Sequence, residues 1–434
     1  MNQLQSADIA WMLVSTALVL LMTPALGFFY GGLVRSKSAL NTMMMSLSAL
    51  GFVGVAWALL GYSLAFGPGT GAIGDLSRIF LRGVGLEAQG TIPHLLFMAY
   101  QGTFAIITAA LISGAIVERM RFTAYLTFIT LWALVVYAPV AHWVWGNGWL
   151  AKMGALDFAG GTVVHINAGA AALVAALVLG PRKDYGRQAM LPHNVPFTIL
   201  GAGLLWFGWF GFNGGSALGA NASASLAFVN TLLAPTATLL VWTVLDLTRT
   251  GKVTAVGGAT GIVVGLVAVT PAAGFVSPLS SLALGALAAF PSYFAIVWRS
   301  RTRLDDSLDV VAAHGLGGTV GALLTGVFAQ KSWNGTVDGL LFGNPKQLGI
   351  QVVATLATLA FSGIASFALL KLVNVFVPLK VSDKEQGLGV DVTQHGEEAY
   401  TDGEGALLVL PRSNAPTNVV PLAVPVFRQG SEQV

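Results

Sequence analysis

Charge is what this chain has least of. Only 9% of its 434 residues are Asp, Glu, Lys or Arg, against about 25% in soluble domains. So little polar surface cannot cover two or three soluble domains, which excludes the organisation that the length alone would suggest. Cysteine is absent, so disulfides and thiolate-held metals or clusters are excluded, while the compartment stays open. The opening MNQLQSAD carries no basic residue, and the first apolar stretch is longer than a signal-peptide core; it is expected to stay in the membrane. The sequence offers no nucleophile–base pair, nucleotide loop or metal-ligand spacing, so no enzymatic activity, cofactor or metal is expected. The net charge of +3 calls for no nucleic-acid partner.

What the chain does have is long apolar runs, in keeping with a hydrophobic share of 55%. Crossing a hydrocarbon core of roughly 30 Å takes about 20 helical residues. Eleven runs qualify: 9–33, 40–66, 93–117, 122–144, 160–180, 195–214, 223–245, 254–273, 276–298, 310–330 and 347–376. The fold class is therefore an all-α integral membrane protein, with a membrane domain over 1–376 and a tail over 377–434. Lys and Arg test this map. Twelve fall in one alternate set of loops (Arg35, Lys37; Arg119, Arg121; Arg182, Lys183, Arg187; Arg249, Lys252; Arg299, Arg301, Arg303) and five in the other. The richer set is cytoplasmic by the positive-inside rule. The N-terminus is then outside and the tail inside a plasma (inner) membrane.

Glycine is abundant, 53 residues, much of it at small-xxx-small spacing such as Gly257, Gly261 and Gly265, which reads as close helix packing. A weak repeat is also visible. FFYGG (28–32) in run one echoes GFNGG (211–215) in run six, and His165 in run five is matched by His314 in run ten. Five helices per half is an odd number, so the second half inserts upside down: a 5+5 inverted repeat followed by a last helix. Such folds place their sites near the midplane between halves. The two histidines enter from opposite faces at similar depth. A lone intramembrane histidine is usually a neutral ring tied to a carbonyl, but two at matched positions point to a shared polar site. Burial favours both neutral forms. One ring can then donate to the other, leaving a donor and an acceptor for a lumen.

The stretch around His165, DFAGGTVVHINAG (157–169), is similar to the signature of the ammonium transporter (Amt/Mep/Rh) family, near its bacterial Amt branch. So, in family order, are GFFYGGLVRSKSALN (27–41), YQGTF (100–104), AHWVWGNGWL (141–150), GWFGFNGGSA (208–217), VTPAAGF (269–275) and DVVAAHGLGG (309–318). The resemblance covers about residues 7–400. It implies eleven helices, a homotrimer with a pore in each subunit, and transport of ammonium or ammonia, with methylammonium as an analogue. Trp145, Phe104 and Ser216 would form the outer ammonium site, where aromatic faces attract a cation and the hydroxyl accepts an N–H. Phe104 and Phe212 would close the pore as stacked rings, and His165 and His314 would be its twin histidines. On residue type alone, Trp145 reads as an interfacial tryptophan and the phenylalanines as core. Tyr100 departs from the phenylalanine common in relatives. Asp157, at the start of run five, reads as a helix N-cap compatible with an influence on the site.

The implied mechanism deprotonates NH4+ and conducts NH3, with separate proton transfer making transport electrogenic in some accounts of the family. Two alternatives stand beside it: an Rh-like neutral gas channel, against which Trp145 and Ser216 argue, and an ammonium sensor that signals through a bound partner. KEQGLGVDVTQHGEEAY (384–400) is similar to the cytoplasmic tail that couples subunits and responds to PII-type nitrogen regulators. The proline-containing LPRSNAPTNVVPLAVPVF (410–427) reads as an extended or disordered extension.

Overall fold

The fold was analysed in a computed structural model that describes residues 3–400; the extension after residue 410 lies outside them. The described chain is a bundle of helices. Ten are long and apolar enough to cross a membrane. In chain order these are α1 (Ser6–Leu33), α2 (Ser36–Phe66), α3 (His94–Ala115), α4 (Phe122–Met153), α5 (Gly161–Leu179), α6 (Val195–Gly215), α7 (Ala222–Thr250), α9 (Pro278–Arg299), α10 (Val311–Phe328) and α11 (Pro345–Phe376). Between α7 and α9 runs α8 (Ala255–Val269), an apolar helix of 15 residues, about 22 Å long. Each of the eleven apolar runs thus carries a helix. The eighth falls short because Thr270 and the residues after it leave the helix as turns.

The helices end where the chain supplies caps. Asn194, Asn221, Thr254 and Ser277 each accept the backbone N–H three residues on, opening α6, α7, α8 and α9. Inside α5 and α10 the first turns are wider: Gly161–Ile166 and Val311–Leu316 are π-helical. Helix α1 packs along α6. A Cβ at Gly201 would run into the backbone of Phe29, so only glycine lets the two axes come this close. The pairing repeats end for end, because Gly32 meets Asn194 at the start of α6 while Gly215 meets Ser15 near the start of α1.

Alternate loops gather at opposite ends of the bundle. At one end the N-terminal segment bonds to the loop before α3, Trp149 to Gly71, Phe158 to Pro271 and Gln330 to Phe275. At the other, Arg35, Glu118, Arg182 and Asp305 come together, and the tail crosses over them. The twelve-residue basic set of loops lies at this tail end. Helices α12 (Asp383–Leu388) and α13 (Val390–His395) are docked there. Lys37 Nζ donates to the Gly387 carbonyl, and Asp391 accepts the backbone N–H groups of Leu40 and Asn41. In the middle of the bundle α3 and α5 are buried over most of their length; they carry Phe104 and His165.

Candidate functional site

Two carboxylates set the local geometry. Asp157 accepts four consecutive backbone N–H groups, those of Gly160, Gly161, Thr162 and Val163, at 2.6–3.0 Å. Asp306 accepts those of Val310 and Val311. Each carboxylate satisfies the free donors at the start of a π-helical turn and lies at its positive dipole end. Each also stands eight residues before a histidine, Asp157 before His165 and Asp306 before His314. Single π turns are frequent at functional sites, and two others, Trp57–Gly61 and Ala133–Tyr137, lie away from these histidines.

Behind the two turns the helices touch. A Cβ at Gly169 would overlap the backbone of Gly315, so a small-residue crossing fixes α5 against α10 beside the rings. His165 Nδ1 and His314 Nδ1 are 3.2 Å apart, and both rings are buried. One ring must donate this hydrogen bond and the other accept it, whichever tautomer each adopts. Trp209 stacks on His165 with centroids 5.5 Å apart, and Phe212 lies beyond at 6.1 Å. The Trp209 indole is itself held by Thr270 Oγ1 at 2.9 Å. His165 Nε2 is fully shielded, with no partner among the described residues. The His165 and His314 rings border, with Leu111, Val164, Leu205 and Val263, an apolar cavity of about 10 Å³, roughly the room one water needs.

A wider pocket lies on each side of this small cavity. Toward the N-terminal end, Phe104 and Phe212 lie with ring centroids 4.2 Å apart and planes tilted by 32°. Above them opens a pocket of about 420 Å³, whose lining includes Phe104, Trp145, Ser216, Phe97 and Gln101. Trp145 stands edge-on to Phe104 at 5.8 Å, and its indole N–H donates to the Asp157 carbonyl. Ser216 Oγ donates to the Phe212 carbonyl at 2.8 Å and lies 3.3 Å from the Tyr100 hydroxyl, which leaves it acceptor capacity toward the pocket. Tyr100 fills the space behind, its hydroxyl within 3.0 Å of the Gly211 and Phe212 carbonyls. Toward the tail, a second pocket of about 190 Å³ is lined by Tyr30, Arg299, Asp309 and His314 among others. Arg299 Nε pairs with Asp309 at 2.6 Å. Burial raises the Asp306 carboxyl above the ordinary range, and the neighbouring Asp309 adds to it.

The residues singled out from the sequence are thus arranged along one line: Trp145, Ser216 and Phe104 at the wide mouth, Phe212 next, then His165 and His314, with Asp157 beside the first turn of α5. Several neighbours were not singled out. Asp306 could have been, since Asp and His recur at a spacing of eight in both halves. Trp209, Tyr30 and Gln101 carried no such signal. Nor did the ionic cluster at the tail end. There Glu118 accepts from Arg35 and Arg182, and Arg182 forks onto Asp305 at 2.9 Å. Burial alone would raise Glu118, but the Arg182 and Arg35 guanidiniums hold it below its usual range. Asp305 is likewise held down against its burial by Arg182 and Arg119.

Comparisons with known proteins point to one family. The profile of the Ammonium Transporter Family matches residues 10–400. An ammonium transporter of Bacillus subtilis is 48% identical over 92% of this chain and all of the relative. One from Aquifex aeolicus is 51% identical over 92% of this chain and 94% of the relative. Among solved structures, Saccharomyces cerevisiae Mep2 superimposes with a TM-score of 0.82 at 38% identity, covering 88% of this chain and 91% of Mep2. A sensor Amt protein superimposes at 0.84 with 29% identity, covering 90% and 98%.

Proposed function

The chain belongs to the ammonium transporter family and is a multi-pass membrane protein of the plasma membrane; we propose that it draws ammonium in at the Trp145 mouth and conducts it as ammonia. NH4+ rests in the outer pocket against Trp145 and Phe104 and gives one N–H to Ser216. Beside the Phe104–Phe212 pair it passes a proton to a ring nitrogen of the histidine pair, and NH3 passes His165 and His314 to the tail end. The observation that carries the reading is the buried histidine pair at the edge of an apolar void of about 10 Å³, with His165 Nε2 left without a partner among the described residues. That atom offers a small neutral molecule a hydrogen bond and offers a full charge nothing.

Selectivity follows from the same dryness. Potassium and ammonium are similar in size, and cation–π attraction does not separate them. Only ammonium can shed its charge. A bare cation entering hydrocarbon faces an idealised Born penalty of order 20 kcal/mol, and still several after relaxation. The released proton crosses separately, relayed by the histidines, which makes transport electrogenic. Asp157 acts by holding the first turn of α5, and with it His165, in register.

The matching topology is eleven crossings, with α8 as the shortest, an outer N-terminus and an inner tail. The end-for-end packing of α1 and α6 supports an inverted repeat, and the family supports a homotrimer with one pore per subunit. A second reading, an ammonium sensor, draws on the likeness to the sensor Amt protein and on the tail docked against the basic loops; a PII-type regulator would then bind at that face. The discriminating experiment is an ammonium jump on proteoliposomes, with a potassium control. A sustained current with ammonium alone is expected. No ammonium flux with intact ammonium binding would favour the sensor.

A further inference from the structure

The outer pocket holds one polar group more than ammonium recruitment has so far used. Phe97, Gln101 and Phe104 fall at i, i+4 and i+7 of α3, which is one helical stripe, and all three line that pocket with Trp145 and Ser216. Gln101 is only 8% exposed, and its amide oxygen is shielded without a hydrogen-bond partner among the described residues. Its polar neighbours are in a different state. Tyr100 donates to backbone carbonyls, and Thr103 Oγ1 donates to the Tyr100 carbonyl at 2.7 Å. A buried amide oxygen left unpaired is costly, and such groups call for an explanation.

The chemistry of the cation supplies one. Ammonium has four N–H donors. Aromatic faces attract its charge, yet they replace little of the hydrogen bonding lost with the hydration shell. Ser216 accepts one N–H. An amide oxygen is a strong neutral acceptor, and the terminal torsion of glutamine is soft. The Gln101 oxygen can therefore turn to the pocket without breaking a bond. Neutrality matters as well, because a carboxylate at this point would hold the cation against deprotonation.

We propose that the Gln101 amide oxygen is a direct ligand of ammonium in the outer pocket and helps the site prefer ammonium over methylammonium; this rests on the recruitment reading above. Methylammonium has three N–H groups and can turn its methyl toward Gln101, so it loses less when the oxygen is removed. With Gln101→Leu, KM for ammonium uptake is expected to rise about tenfold, the worth of one hydrogen bond to a charged group. Vmax should hold, and KM for methylammonium should rise less than about threefold. Gln101→Glu should lower KM and slow turnover. Gln101→Met serves if the leucine variant fails to assemble. Equal shifts for the two substrates, or a loss of Vmax at unchanged KM, would overturn the proposal. Binding is read separately from the ammonium-induced tryptophan fluorescence change, with Trp145→Leu as the blank. Wild-type protein that binds ammonium, binds it more weakly with Gln101→Leu, and carries no flux would uphold the ligand and sink the transport reading.

Discussion

His165 is held from several directions at once: by His314 through one ring nitrogen, by the face of Trp209, and by a turn that Asp157 pins with four hydrogen bonds. Its remaining nitrogen, Nε2, is shielded and without a partner among the described residues. Replacing either histidine with alanine leaves the other ring unpaired at roughly 1–3 kcal/mol. Ammonium current in proteoliposomes is expected to fall sharply while the oligomer still assembles. Replacement by glutamate is expected to admit a cation with its water, so that potassium current appears. Full current and full selectivity in both alanine variants would reduce the pair to satisfied core residues. Asp157→Asn tests the turn: an amide can accept fewer of the four N–H groups and brings its own donors against them. A large loss of current is expected with little change in KM, since the outer pocket keeps Trp145, Phe104 and Ser216. The histidines were readable from the sequence because ionisable residues are conspicuous in apolar runs. Gln101 and Trp209 were not. A glutamine or tryptophan in a span has many ordinary uses, and only packing shows which face it takes.

At the scale of elements, the tail end is tied together by a cluster that no local pattern announces. Arg35, Glu118, Arg182 and Asp305 come from four separate loops or helix ends, so the sequence shows four unremarkable charges. Removing one partner of a buried ion pair costs about 3–5 kcal/mol. Glu118→Gln is therefore expected to lower the melting temperature clearly in detergent, and to free the segment 377–400 for proteolysis. The pH dependence has a definite sign. Glu118 and Asp305 are held below their ordinary values by the guanidiniums, so their contribution is present above about pH 4. It is lost as pH falls through their folded values. Wild-type protein should lose stability on that acid limb, and the Glu118→Gln variant should show a shallower one. An identical acid limb in both would place the destabilising protonation elsewhere. The apolar runs themselves were legible because hydropathy reports length directly. The exact ends were not: Thr270 and the π turns of α5 and α10 depend on caps and on crossings such as Gly169 with Gly315.

For the whole molecule, the arrangement makes one surface of the bundle basic and covers it with the tail. Lys37, Lys183 and Lys380 each make at least one hydrogen bond across this seam: Lys37 Nζ to Gly387, Lys183 N–H to Gln386 and Lys380 Nζ to Pro181. None of the three is within the pore line. Permeation and regulation should then separate. Deleting residues 384–434 is expected to preserve discrimination between ammonium and potassium while changing the rate or the response to a partner. Potassium conduction in the truncated protein would show that the tail shapes the pore after all. The tail and the basic loops share one end, so labelling the two ends tests which way the molecule faces. Because the chain has no cysteine of its own, single cysteines at Ser6 and Ser300 read out the two ends without background. An impermeant thiol reagent applied to intact cells should label Ser6→Cys, and Ser300→Cys only after the membrane is opened. The reverse pattern would turn the pocket of Trp145 and Ser216 toward the cytoplasm, and the protein would then be arranged to recruit ammonium from inside the cell.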